Sequence, residues 1–477
     1  MKFTVALIGS AVAGLAYAAP EEDRVLYLPE MGYFDKYAFY SGYIDIPATG
    51  KKSLHYVFVE SQQNPSTDPL IIWFNGGPGC SSMLGFAQEH GPYVVPDGGE
   101  TFVENPYSWN REANMLYIES PAGVGYSYGE TVEDRTFDDY TSGQDNLNTI
   151  LGWFEKFPEY KGHDLYISGE SYGGIYVPYA AWYIDQHNTQ YADDATVYKP
   201  NLKGFMVGNG VTDWTYDTTP AFVQLAYDEV LFEDSLMNKI TSLGCNYGSN
   251  HPFDGISAKC KAALLDIYNA TAGINTYNTY GVCYGPEPYP QLKGMSHGVS
   301  VVNGVEHTYK RHFTAADYTP WMFEGVKEAN GSIPPCIYGT PVADYFNRAD
   351  IRELLHIPTY VQAWELCTGN INYTTLPQAS LWIYQELRGK YRALKFSGDV
   401  DGSVPTLGTR AWINSTGWAV TEAYRSYKLD GQIAGYVETR ENWFTFGSVH
   451  GAGHMAPQYK PPETYHLIFN WLKQIPI

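Results

Sequence analysis

The chain has 477 residues, 44% of them hydrophobic, and carries a formal net charge of −22. That charge excludes a nucleic-acid partner, because phosphate backbones are held by clustered Lys and Arg. Beyond the extreme N-terminus no run approaches the roughly 18 apolar residues of a membrane span, so a soluble mature protein with no membrane partner is expected. At about 150 residues per domain, the length fits two or three domains, or one large α/β domain with an insertion.

The first 18 residues read as an export signal. Lys2 gives a short positive region, residues 3–15 are apolar, and Ala16-Tyr17-Ala18 fits small-residue cleavage. Four sequons, at Asn269, Asn330, Asn372 and Asn414, are glycosylation acceptors if the chain crosses a glycosylating compartment. Secretion is therefore expected, with a vacuolar or lysosome-like lumen as the alternative. Six cysteines, an even number, suit an oxidising compartment and on their own leave fifteen pairings open. No C-x-x-C or H-E-x-x-H occurs, so no metal is expected. The acidic surplus repels itself at neutral pH and is relieved as carboxyls protonate, which fits an acidic working environment.

Next come short apolar runs, each ending in a turn. Leu70-Ile71-Ile72-Trp73-Phe74 stops at Asn75-Gly76-Gly77, and Met115-Leu116-Tyr117-Ile118-Glu119 stops at Ser120-Pro121. Residues 137–157 place Leu147, Ile150, Leu151 and Phe154 at helical spacing. Leu165-Tyr166-Ile167-Ser168 stops at Gly169, residues 174–187 read as a helix, and residues 204–207 stop at Gly208-Asn209-Gly210. From Trp214 to Tyr338 the strand rhythm disappears, and cysteines gather among many Tyr, Asn and Gly residues. A structureless loop of that length is improbable, so the segment reads as a disulfide-held insertion over one end of the sheet. Ala393-Leu394-Lys395-Phe396 then stops at Ser397-Gly398-Asp399, and a helix closes the chain over residues 463–473. Buried strands alternating with helices predict a central mixed, mostly parallel sheet flanked by helices. The expected division is signal 1–18, core 19–213, insertion or cap 214–340, and core again 341–477.

Gly169-Glu170-Ser171-Tyr172-Gly173 follows a predicted strand and opens a helix. A sharp strand-to-helix turn there would expose the Ser171 hydroxyl and aim the helix N-terminus at developing negative charge. A base and an orienting acid should follow in the order Ser, Asp, His. Gly398-Asp399-Val400-Asp401-Gly402 and His450-Gly451-Ala452-Gly453-His454 are both post-strand loops where such groups belong. Calcium fails as a reading of the aspartates, since position twelve counted from Asp399 is Arg410. His450 and His454 have metal-like spacing, but Gly451 and Gly453 disfavour a helix, and His454 is the expected base. The glycines of residues 75–82 allow backbone N–H groups to approach an oxyanion. No phosphate-loop motif is present.

Five blocks (residues 73–82, 119–128, 169–174, 398–405 and 453–457) together resemble the serine carboxypeptidase family, in the family's order and across nearly the whole mature chain. The resemblance implies an α/β-hydrolase fold and removal of C-terminal residues from peptides or proteins, with no cofactor. It implies Ser171 as nucleophile, His454 as base, and Asp401 rather than Asp399 as orienting acid. The oxyanion hole would be the N–H groups of Gly77 and Tyr172. Asn75, Glu89 and Glu170 match positions that bind the substrate carboxylate, and Met455 a wall of the leaving-residue pocket. Family pairing implies Cys80–Cys367, Cys245–Cys260 and Cys283–Cys336. Val404 stands where some members have a cysteine, so sensitivity to thiol reagents is not implied. The first family block begins soon after the signal, leaving no room for the long propeptide of some members. An acyltransferase, or a non-catalytic binding or protective protein, on the same scaffold are the alternatives. Oligomeric state is not legible.

Overall fold

Strands buried on both faces are apolar from end to end, and such runs set this layout. The computed structural model describes residues 19–284, 297–302, 305–310 and 336–477. Its large sheet contains β1 (Phe39–Ile46), β2 (Lys52–Val59), β3 (Leu70–Phe74), β4 (Asn114–Ile118), β5 (Tyr128–Gly129), β6 (Leu165–Glu170), β7 (Leu202–Gly208), β8 (Arg392–Gly398), β9 (Val420–Leu429), β10 (Gln432–Arg440) and β11 (Phe444–Val449). Across the sheet the order is β9-β10-β11-β8-β7-β6-β3-β4-β2-β1, with β5 paired to β2. Every pairing from β4 across to β11 is parallel. The outer pairings on both edges are antiparallel. With helices on both faces, this is an α/β-hydrolase fold.

Strand alternation divides the core into two layers. Leu70, Ile72 and Phe74 share one cluster with Trp153 of α1 (Asp139–Lys156) and Ile175 and Ile184 of α2 (Gly173–Gln190). Ile71 and Trp73, pointing the other way, join Leu467, Phe469 and Trp471 of the C-terminal helix (Pro461–Lys473). Each such side chain contributes about 1.5–3 kcal/mol on burial. Helix α1 starts on a capping box: Asp138 accepts from the N–H of Thr141 at 2.8 Å, and Thr141 Oγ1 accepts from Asp138 N–H at 2.8 Å.

Element boundaries shift by a few residues from the sequence reading. The strand expected to stop at Gly169 runs on to Glu170, because Gly169 still pairs with Phe74 and Glu170 with Gly208. A mixed sheet was expected, but the segments that form its antiparallel edges were not read. Strand β9 is exposed at most of its positions and so lacks the apolar signature of a central strand.

The segment expected as an insertion holds three helices and a two-stranded ribbon among its described residues. Helices α3 (Thr219–Asp228), α4 (Asp234–Leu243) and α5 (Ala258–Ala270) enclose a small core around Phe222, Phe232, Ile240 and Leu264, separate from the two sheet layers. Disulfides join Cys245 to Cys260 and Cys283 to Cys336, and a third joins Cys80 to Cys367. A two-stranded ribbon pairs His297–Val302 with Val305–Lys310. The segment after α5 returns to the core, where Gly402 N–H donates to Thr276 O at 2.8 Å and His454 N–H to Tyr277 O at 2.6 Å. Asn269, Asn372 and Asn414 are exposed, whereas Asn330 and the expected signal peptide lie outside the described residues.

The bridge Cys245–Cys260 closes a loop of sequence separation 15, and cross-links of that span stabilise by about 3 kcal/mol. In the double variant Cys245→Ser plus Cys260→Ser, hydrogen exchange should accelerate in α4 and α5 while β3 and β6 keep their protection. Equal acceleration throughout would mean that the insertion has no stability of its own.

Candidate active site

The site is assembled where parallel strands end and their loops begin. β6 delivers Glu170 and Ser171, and α2 starts two residues later. Ser171 has φ 61°, a left-handed conformation that a non-glycine residue adopts only when its surroundings enforce it. They do so here: Ser171 N–H donates to Gly208 O at 3.2 Å, and its carbonyl accepts from Val211 N–H at 3.0 Å and Gly174 N–H at 2.9 Å. Close approach demands glycine on both sides of the turn. A methyl group at Gly76 would overlap the backbone N of Tyr172, and one at Gly169 would overlap Phe74 O.

Ser171 and His454 line one open cleft of about 780 Å³, counting the space that opens to solvent. His454 Nδ1 lies 2.8 Å from Asp401 Oδ2, with both side chains buried. Its other ring nitrogen, Nε2, has no hydrogen-bond partner among the described residues. Asp401 is fully buried and its carboxylate is fixed by donors. Oδ2 accepts from Asn209 Nδ2 at 2.9 Å and Val404 N–H at 3.0 Å, and Oδ1 from Ser403 N–H at 2.8 Å. Asp399 instead pairs with His450 at 2.7 Å and accepts from Gly451 N–H at 2.7 Å, nearer the surface. The same two loops therefore carry two Asp–His pairs, and the inner one faces the cleft. A half-buried Ser beside a buried His and Asp can pass a proton from hydroxyl to imidazole and hold the resulting charge.

Among the described residues, no backbone carbonyl accepts from the N–H of Gly77 or Tyr172. Gly77 has φ 113°, and both residues line the cleft at the N-terminus of α2, where the helix dipole favours negative charge. The Tyr172 side chain is anchored away from the cleft, its hydroxyl donating to Asp139 Oδ1 at 2.6 Å.

Asn75 ties two acids together. Its Oδ1 accepts from Trp73 Nε1 at 2.8 Å and Gly85 N–H at 2.9 Å, which turns Nδ2 toward the carboxyls. Nδ2 donates to Glu89 Oε1 at 3.1 Å and Glu170 Oε1 at 2.9 Å. Burial pushes the Glu89 carboxyl up to about 7, against the opposing pull of its hydrogen bonds. Burial first, and then the charge of Glu89, holds Glu170 well above the usual carboxylate range. Asn75 and Glu170 line the cleft directly, as does Met455.

Several lining groups escaped the sequence reading, among them Trp214, Tyr277 and Leu366. Asn209, the side-chain amide on Asp401, sits in a triplet that reads only as a turn. Its place at the end of a buried strand was the available signal.

Comparison with known proteins agrees with this geometry. A family model described as serine carboxypeptidase matches residues 29–474. Serine carboxypeptidase 1 of Hordeum vulgare is 32% identical over 475 residues, covering 95% of this chain and 93% of its own. The lysosomal protective protein of Mus musculus is 32% identical, with 96% and 95% covered. The solved structure of Kex1(delta)p, a prohormone-processing carboxypeptidase from Saccharomyces cerevisiae, shares the fold at a TM-score of 0.70 and 19% identity, with 96% of this chain and 97% of that one covered. Matched along almost its whole length, the chain belongs to the serine carboxypeptidase family.

Proposed function

We propose that this serine carboxypeptidase cleaves the last peptide bond of its substrate through an acyl-enzyme on Ser171. The observation that carries the reading is the buried Asp401–His454 pair opening onto the same cleft as Ser171. Ser171 Oγ attacks the carbonyl carbon while His454 Nε2 takes its proton, and Asp401 steadies the imidazolium. The oxyanion forms against the N–H groups of Gly77 and Tyr172. His454 returns the proton to the departing amine, and water, activated in the same way, then releases the shortened peptide. Met455 walls the space for the leaving residue. The three exposed sequons, and a relative named lysosomal, support passage through the secretory route to the exterior or to an acidic lumen.

The terminal carboxylate is read by Asn75, Glu89 and Glu170. A carboxyl donates to a carboxylate only while protonated, and the raised positions of both glutamates keep their protons in mild acid.

Ser171→Ala and His454→Ala should each lower turnover by roughly 10³-fold or more, and a fluorophosphonate should label Ser171 alone. Asp401→Asn should damage kcat far more than Asp399→Asn, whose partner His450 lies outside the cleft. Labelling at another serine, or a crippling Asp399→Asn, would overturn the assignment.

The carboxylate reading predicts a particular pH dependence. Below the raised values the pair is protonated and binds free-acid peptides, and as pH climbs through about 7 Glu89 ionises and repels them. KM for N-blocked dipeptides should rise toward neutrality for the acids and much less for their C-terminal amides. Glu89→Gln plus Glu170→Gln should flatten the acid curve. Parallel curves for acids and amides would show that these residues do not read the terminus.

A further inference from the structure

Lys395 is a fully buried cation within parallel strand β8, flanked by Leu394 and Phe396, and the mechanism above does not use it. Buried lysines are rare, because an ammonium loses its hydration and regains it only through well-placed acceptors. Here the acceptors belong to one short loop. Nζ donates to Gly210 O at 2.5 Å and to Thr212 Oγ1 at 2.9 Å. Asp217, also fully buried, binds the same loop by accepting from Thr212 N–H at 2.7 Å and Asp213 N–H at 3.0 Å.

The loop held in this way joins the two ends of the catalytic set. On one side of Gly210, Asn209 donates to Asp401 Oδ2 at 2.9 Å and to Gly398 O at 3.2 Å, and its Oδ1 accepts from Gly398 N–H at 2.8 Å. On the other side, Val211 N–H donates to Ser171 O at 3.0 Å, and Val211 also lines the cleft. Asn209 has φ 35°, a left-handed backbone that needs fixing from its neighbours. We propose that Lys395 is a positioning residue, whose ammonium clamps Gly210 and Thr212 so that Asn209 meets Asp401 and Val211 meets the carbonyl of Ser171.

The charge is held at a cost. Burial pulls the Lys395 amine down to about 8 despite the opposing attraction of Asp217, and lifts Asp217 to about 6 despite Lys395. The site thus disfavours both ionised forms, so the pair is a poor device for stability alone. A methionine would fill most of the same volume without the charge. At pH 5 the Asp217 left behind would be neutral, since its pKa would lie no lower than with the lysine present.

The inference rests on the assignment of Ser171 and Asp401, which fluorophosphonate labelling tests separately. Lys395→Met, assayed at pH 5 and normalised to fluorophosphonate-titrated sites, should lose roughly 10- to 100-fold in kcat, with KM within about twofold of the parent. Asn209→Ala should lose a similar factor. Because both act through one loop, the double variant should be no slower than the worse single one. Full kcat in Lys395→Met, or losses that multiply in the double variant, would overturn the proposal while leaving the Ser171 assignment intact. A rise in KM equal to the fall in kcat would overturn it too. If Lys395→Met does not yield folded protein, Thr212→Val removes one of the two acceptors and carries the same test. It should lower kcat about threefold or more at unchanged KM, and an unchanged kcat would refute the clamp.

Discussion

Everything at this site depends on fitting a serine with φ 61° between a buried strand and a helix. The turn is strained, and the strain is tolerated because its neighbours leave no alternative. Gly76 and Gly169 let the ends of β3 and β6 pack backbone against backbone, with no room for a Cβ at either position. One contact therefore does two things. It forces the Ser171 side chain toward the cleft, and it brings the N–H of Tyr172 beside the glycine-rich loop after β3. Neither could move without disturbing the other.

Around this turn the loops are fixed by buried polar groups rather than by apolar packing. Glu119 opens the 119–128 block, and its carboxylate accepts from the Ser81 hydroxyl, from Trp364 Nε1 at 2.9 Å and from Tyr126 N–H at 2.9 Å. His55 Nδ1 meets the same carboxylate at 2.8 Å. Ser81 and Trp364 lie close to the Cys80–Cys367 bridge in the chain, so one carboxylate and one disulfide pin the glycine-rich loop after β3 to the segment opposite it. A buried carboxylate with a partner missing would cost several kcal/mol, which makes each of these donors a condition on the others. The block thus supports the loops around the cleft, although in sequence it stands out as strongly as the block around Ser171.

How far the sequence could be read follows from the same physics. Strands β3, β6 and β8 were legible because burial on both faces leaves an apolar run between turn residues. Edge strand β9 was not, because exposure at most of its positions permits Thr, Glu, Arg, Ser and Lys among its residues. Ser171 was legible because its turn needs glycines at fixed offsets. The acid was harder. Asp399 and Asp401 both follow β8, His450 and His454 both follow β11, and the structure pairs them outer with outer and inner with inner. Composition gives no ground for choosing between the two aspartates, and only the resemblance favoured Asp401. Lys395 was visible as a charge inside an apolar run, but its partners lie more than 180 residues away in the chain. Contacts at that separation leave no local pattern.

The chemistry and the electrostatics of the cleft pull in opposite directions. A base must be neutral to accept a proton, which favours higher pH, whereas two carboxyls that donate to a substrate carboxylate must be protonated, which favours lower pH. The structure separates these demands by environment. His454 is held by a carboxylate whose oxygens take four donors, an arrangement that supports the charge it gains during turnover. Glu89 and Glu170 share the amide of Asn75, bond to each other and are deeply buried, so desolvation dominates them. In the proposed reading, acids of similar intrinsic strength therefore serve two different tasks at one cleft. A fixed cation in place of the glutamates would bind carboxylates at every pH, including the carboxylate of the released residue. In the proposed reading, a protonated pair makes that grip depend on acidity without burying a further positive charge.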